Sequence, residues 1–469
     1  MSRIPDHRLP LWAALVPLAA GLSAAAREGP RAGGPEASWL DPYRRPAALL
    51  LEAARTDPTA WERITHLTDT FGHRLSGSPG LEAALRWAAA EMERDGLADV
   101  RLEKVMVPRW VRGRESAHLV EPFPGELVML GLGNSVGTGP RGVQAELAVV
   151  RSFEELEARG DGLRGKIVLY NVPFTAYGET VRYRGAGASR AARHGAVAVL
   201  IRSVGPPGLR TPHTGALRYE EGAPAIPAAA VTTEDADRLQ RLTDRGTRVV
   251  VRLYMEASMQ GEAESANLVA DLPGRERPHE IVLVGGHLDS WDVGTGAVDD
   301  AGGSVVTWEA VRLVRSAGLR PRRTMRVVLW TNEENGLRGA YAYRDRHAAE
   351  LADHVLALES DSGVFKPLGF GFSGSPAARE IIRAIAGLLE PIGATEVGAS
   401  GGGADIGPLV RAAQVPALSL SVEGSRYFML HHTPADTVDK LDPREVAACA
   451  GAVAVMSYVV ADMPDRLPR

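Results

Sequence analysis

Four short stretches of this chain gather histidine and acidic side chains, each close behind an apolar run. GGHLDSWDVGTGAVDDAGG, residues 285–303, follows IVLV and carries His287, Asp289, Asp299 and Asp300. LWTNEENGLRGA carries Glu333 and Glu334, ALESDSG carries Asp361, and LHHTPADT carries His431, His432 and Asp436. Imidazole nitrogen and carboxylate oxygen without thiolate suit zinc or a similar divalent ion, whereas magnesium or calcium sites are usually all oxygen. One catalytic zinc takes about three protein ligands. This set is larger and suits two ions sharing a bridging carboxylate, which can hold a water and polarise a carbonyl together. A lone acidic pair is usually a solvated turn. The apolar strand before each pair here reverses that reading.

The elements that must position these groups alternate. EIVLVGGHLD, TMRVVLWTNEE, HVLALESDSG and PALSLSV read as strands. GGSVVTWEAVRLVRSAGL, GLRGAYAYRDRHAAEL, SPAAREIIRAIAGLLEPIG and a last segment from about Pro443 read as helices. Such alternation predicts an α/β fold, a mostly parallel mixed sheet flanked by helices. Each polar cluster then lies beyond the carboxyl end of a strand, where open α/β sheets bind ligands. Upstream, GSPGLEAALRWAAAEMERDGL reads as a helix and VRLEKVMVPRW as a strand. From 124 to 255 short strand-like runs such as GKIVLYNV and AVAVLIRSV alternate with short helices and carry no such cluster. That block reads as an inserted α/β domain, splitting the catalytic domain into 46–123 and 256–469.

A net charge of -5 is mild and argues against nucleic-acid binding, which needs a concentrated basic patch. The N-terminus, basic and then LPLWAALVPLAAGLSAAA, has the pattern of a secretory signal with cleavage after Ala26. It predicts a secreted or periplasmic chain, with a linker at 27–45. No later segment reads as long and apolar enough to span a membrane. Cys449, the only cysteine, excludes an intrachain disulfide and lies in an apolar helical run, as a core residue would. His73, His213 and His354 lack any such context and read as ordinary. Trp308, on a helix, reads as core; Trp291, in the loop, as a pocket wall.

The blocks GGHLDSWDVGTGAVDDAGG, LWTNEENGLRGA, ESDSG and HHTPADT, in that order and spacing, resemble the co-catalytic zinc peptidase family of aminopeptidases and glutamate carboxypeptidases. The likeness runs from about Pro46 to the C-terminus, and the inserted block resembles a protease-associated domain. The resemblance implies two Zn2+ per chain. His287 and Asp361 would hold one, Glu334 and His432 the other, and Asp299 would bridge them. Glu333 would be the general base, and Asp289 would accept a hydrogen bond from the free ring N–H of His287. His431, or Tyr427, would donate to the oxyanion, while Asp300 would shape the backbone. Asp405, in ASGGGADIGPL, would either meet the substrate amine or cap the next helix. The implied activity is an exopeptidase acting on dipeptides or short peptides with a free N-terminus. A homodimer is implied too, although no motif carries one. The same fold also serves non-peptide amide hydrolases, such as those of N-acyl amino acids, one-zinc cyclases and binding proteins without catalysis. The filled ligand set favours hydrolysis.

Overall fold

The strands Arg323–Trp330 and His354–Glu359, and Arg277–His287 from Ile281 on, are buried on both faces. A strand covered on both faces belongs inside a parallel sheet sandwiched by helices. In this computed structural model, which describes residues 38–469, that is where they lie. One eight-stranded sheet runs in the order Ala98–Val111, Ser258–Leu272, Arg323–Trp330, Arg277–His287, His354–Glu359, Ala417–Val422, Pro367–Ser373, Glu396–Gly398. The four strands from Arg323–Trp330 to Ala417–Val422 pair in parallel. Their carboxyl ends therefore open on one edge, and all four polar clusters follow those ends.

Helices Gly302–Ser316 and Pro443–Asp462 pack together, and both meet the strand Arg277–His287. Arg338–Arg346 and Gly407–Ala413 pack against each other, with Tyr343 and Leu409 in the same core as Trp330. Helix Pro79–Arg94 starts at Ser78, whose hydroxyl accepts from Leu81 N–H. Trp308 is core, as expected: its Nε1–H donates to Asp95 at 2.8 Å and the Arg63 guanidinium lies 4.0 Å above its ring. Cys449 is buried as well, its thiol donating to the Phe365 carbonyl.

The second eight-stranded sheet belongs to the inserted block, with Val143–Val150, Ile167–Tyr170, Ala198–Arg202 and Ala228–Val231 parallel at its centre. It also takes in Glu115–Glu121, paired with Val250–Met255, so the sheet begins upstream of the expected boundary at 124. The strand alternates much as the preceding one does, so the change of sheet leaves no mark in the residue pattern.

Two expectations need correction. Helix Asp41–Thr56 begins inside the stretch read as linker; Pro42 opens it and Pro46 sits within it. Helix Pro443–Asp462 is long and apolar enough to cross a membrane, contrary to the sequence reading, but it is buried against the sheet and neighbouring helices. The signal segment and the linker up to residue 37 lie outside the described residues.

Trp308→Ala should lower the unfolding free energy by about 3–5 kcal/mol, the usual cost of a buried aromatic truncation. Urea denaturation would measure it; a loss below about 1 kcal/mol would mean that the helix it anchors is held elsewhere.

Candidate metal centre

His287 is the last residue of its strand, and its ring has little freedom. Nδ1–H donates to the main-chain carbonyl of Asp289 at 2.9 Å. Nε2 therefore faces inward, 3.2 Å from Asp299 Oδ1 and 3.3 Å from Asp361 Oδ1. On the other side, His432 Nε2 lies 3.2 Å from Asp299 Oδ2 and 3.0 Å from Glu334 Oε2. Asp299 thus turns one oxygen to each group. The two triads that could hold an ion are His287, Asp299 and Asp361, and Asp299, His431 and His432. His431 Nε2 stands farther off, 3.6 Å from Asp299 Oδ2. All five expected ligands converge, and Glu333 sits beside them without a ligand's contacts.

The aspartates outside this set hold backbone. Asp289 takes the N–H groups of Glu333 and Glu334, at 3.1 and 3.3 Å, and the Ser76 hydroxyl at 3.1 Å. This corrects its expected role: its carbonyl, not its carboxylate, accepts from the His287 ring, because the carboxylate is turned to the Glu333 turn. Asp300 accepts from His287 N–H and Gly303 N–H, and so shapes the backbone. Asp436 accepts from Val298 N–H at 2.7 Å and Asp299 N–H at 3.1 Å, fixing the loop that presents the shared carboxylate. A Cβ at Gly303 would lie 2.3 Å from Asp300 Oδ1, so glycine there serves the aspartate's close approach. Gly294 has φ +64°, which favours glycine, and packs on the Asp436 and Thr433 carbonyls.

The charge of this cluster is lopsided. Burial pushes Glu334 and Asp300 well above the usual carboxylate range, and neighbouring carboxylates add to it. Burial, opposed by His287 and reinforced by Asp361 and Asp289, brings Glu333 up to about 8. Burial also raises Asp436 to about 7. Asp299 goes the other way: burial opposes, but the close His287 and His432 imidazoles hold it well below. Arg74 answers part of this charge from beneath. It is fully buried and donates to the carbonyls of Leu288, Thr295 and Gly296, with burial lowering it to about 10 against Asp436 and Asp289. An acidic excess this deep fits divalent cations held by the nitrogen and oxygen donors present.

Two other residues are narrowed. Of the two roles open to Asp405 the cap is excluded: the helix Gly407–Ala413 has no side-chain cap, and both Asp405 oxygens are buried without a partner. Trp291 is core, edge-on to Trp110 and 5.7 Å from the His432 ring, and does not line the cavity over the centre. The cavity over the centre, about 630 Å³, is lined instead by Glu333, Asp361, Tyr427, His431 and strand residues, with Tyr177 and Arg184 from the inserted domain.

Residues 267–457 match the model of peptidase family M28, and residues 125–239 that of the PA domain. Carboxypeptidase Q of Mus musculus is 47% identical over 410 residues, 87% of either chain. The chain belongs to peptidase family M28. An M28 peptidase precursor from Shewanella amazonensis has the same architecture, at TM-score 0.88 and 36% identity over 92% of this chain and 99% of that one. A zinc aminopeptidase from Bacillus subtilis shares the fold at TM-score 0.64 and 20% identity, over 87% of this chain and 96% of that one.

This M28 peptidase uses residues that its sequence did not mark. Arg74 lies in FGHRLSG, more than 200 positions before the carbonyls it serves. His213, read as ordinary, donates from Nδ1 to the His431 carbonyl across 218 positions. Both lack any local pattern, since their partners are joined only by folding. Arg74→Met should destabilise the protein by about 3–5 kcal/mol, because it leaves buried carboxylates without their cation. Unfolding by urea would report it; a change under about 1 kcal/mol would show that the loop 287–300 stands without this support.

Proposed function

We propose that this M28 peptidase is a two-zinc exopeptidase for dipeptides and short peptides with a free N-terminus. One observation carries the reading: Asp299 points its two carboxylate oxygens at separate imidazoles, while Glu333 is left beside the centre to handle protons. His287 and Asp361 would hold one zinc and Glu334 and His432 another, with Asp299 between them. Bound there, zinc would supply Lewis acidity toward the scissile carbonyl and water. Glu333 takes the proton of the attacking water and passes it to the leaving amine. Its raised affinity for a proton suits that shuttle. His431 donates from its ring to the developing oxyanion, lying over Asp299 with its ring stacked 3.5 Å from His432.

The cavity supports a short peptide. Ser419, Leu420, Ser421 and Val422 are consecutive on one strand, and all four line it. Alternate side chains of a strand point to opposite faces. Four in a row on one cavity therefore place the strand's edge along it, as suits an extended peptide backbone. Arg184 is 7% exposed and lines the same cavity; among the described residues it has no acidic ion-pair partner, and its Nε has no hydrogen-bond partner. It is placed to receive the free carboxylate of a short substrate. The basic, apolar and alanine-ended N-terminal sequence supports export.

The test is metal content together with a substrate panel. About two zinc per chain are expected, with activity on free dipeptides and none on N-blocked ones. Glu333→Gln should keep its metal and lose about 10²–10⁴-fold in kcat. Metal bound without turnover of any peptide would overturn the reading. Separately, His431→Ala should lower kcat about 10²–10³-fold while Tyr427→Phe leaves it within about threefold. The reverse order would move the oxyanion donor to Tyr427. Arg184→Leu should raise KM for dipeptides and leave dipeptide amides unaffected; equal losses on both would remove it from carboxylate binding.

A further inference from the structure

The ligand His432 is held in place from outside the catalytic sheet. Its φ is +61°, in the left-handed region that non-glycine residues seldom enter. Such a conformation persists only where surrounding contacts over-determine it. Those contacts come from residues 213 and 214 of the inserted domain. Thr214 N–H donates to the His432 carbonyl at 2.9 Å, and the His432 ring Nδ1 lies 3.3 Å from the Thr214 carbonyl. His213 Nδ1–H donates to the carbonyl just before, that of His431, at 2.9 Å. Two successive carbonyls and one ring of the catalytic domain thus meet one dipeptide of the other.

That dipeptide is itself fixed. The Thr214 hydroxyl donates to the Gly131 carbonyl at 2.7 Å and accepts from Arg112. Arg112 also pairs with Asp292, inside the metal loop, at 2.8 Å. His213 N–H donates to the Ser203 hydroxyl at 3.0 Å. Arg184 donates to the Thr214 carbonyl and lies 3.3 Å from His432 Nδ1. A guanidinium carries only donors. Only one of the two Nδ1 contacts can be a hydrogen bond; with the proton on Nδ1 the ring donates to the Thr214 carbonyl, which leaves the Nε2 lone pair toward Glu334 and Asp299, as a metal ligand requires.

We infer that Thr214, backed by His213 and Arg112, is a positioning residue for the second metal subsite, so that the inserted domain sets the affinity of the Glu334–His432 half. The inference rests on the two-zinc reading above. Partners of a ligand's second nitrogen commonly change metal affinity about 10–100-fold when lost. Coupling is reciprocal, so an ion at His432 must also tighten the 213–214 contact. Simple packing between domains would do neither.

The experiment titrates zinc into the full chain after chelator stripping, by calorimetry. Thr214→Val removes the hydroxyl anchor, and His213→Phe removes the donor to His431. In each, one of two binding events should weaken about 10–100-fold while the other keeps its affinity. Hydrogen exchange on the unaltered chain needs no variant to fold. There, the Thr214 amide should exchange more slowly with zinc than without. Two unaltered binding events in both variants, or a Thr214 amide indifferent to zinc, would overturn the inference alone. A single binding event in the unaltered chain would overturn the two-zinc reading and the inference with it.

Discussion

Uncompensated negative charge, buried beneath the end of a parallel sheet, is the constraint that governs this structure. Asp289, Asp299, Asp300, Glu334 and Asp436 are all buried within one small volume. Burying unpaired carboxylates is expensive unless hydrogen bonds or cations offset it. The chain offsets part of that cost with its own backbone. Asp289, Asp300 and Asp436 each accept from two main-chain N–H groups, the first pair in the Glu333 turn and the other two in the loop 285–303. These three carboxylates therefore set the shape of the loops that carry His287, Asp299 and Glu334. Arg74 completes this frame by gathering the carbonyls of the same loop.

What remains uncompensated lies on Asp299, Asp361 and Glu334, facing imidazole nitrogens. Glu333 is fixed through its own N–H to Asp289, which holds its residue beside this cluster.

The inserted domain is part of this arrangement. The Trp291 ring packs with Trp110 and the second sheet's core, while its main-chain N–H donates to Glu334. Arg112 joins the strand Ala98–Val111's end to Asp292 in the metal loop. Tyr177 and Arg184 line the substrate cavity. A domain that looked like an appendage in the sequence therefore supplies wall, charge and support to a centre whose ligands all lie elsewhere.

The sequence by itself determined the α/β alternation, the placement of four polar clusters beyond four strands, and the identity of the five converging side chains. These were legible because a strand's apolar run and the polar loop behind it are neighbours in the chain. The order and spacing of His287, Asp299, Glu333, Glu334, Asp361 and His432 carried the rest of that reading. Tertiary structure alone decided which oxygen faces which ring, why Asp289 serves backbone and not a histidine, and why Asp405 caps nothing. It alone brought Arg74, Arg184, His213 and Thr214 to the centre. Each of these acts through a few hydrogen bonds or a charge across roughly two hundred positions or more, or across a domain boundary. Such a contact leaves no periodicity in the chain, because only the packing of the two domains creates it.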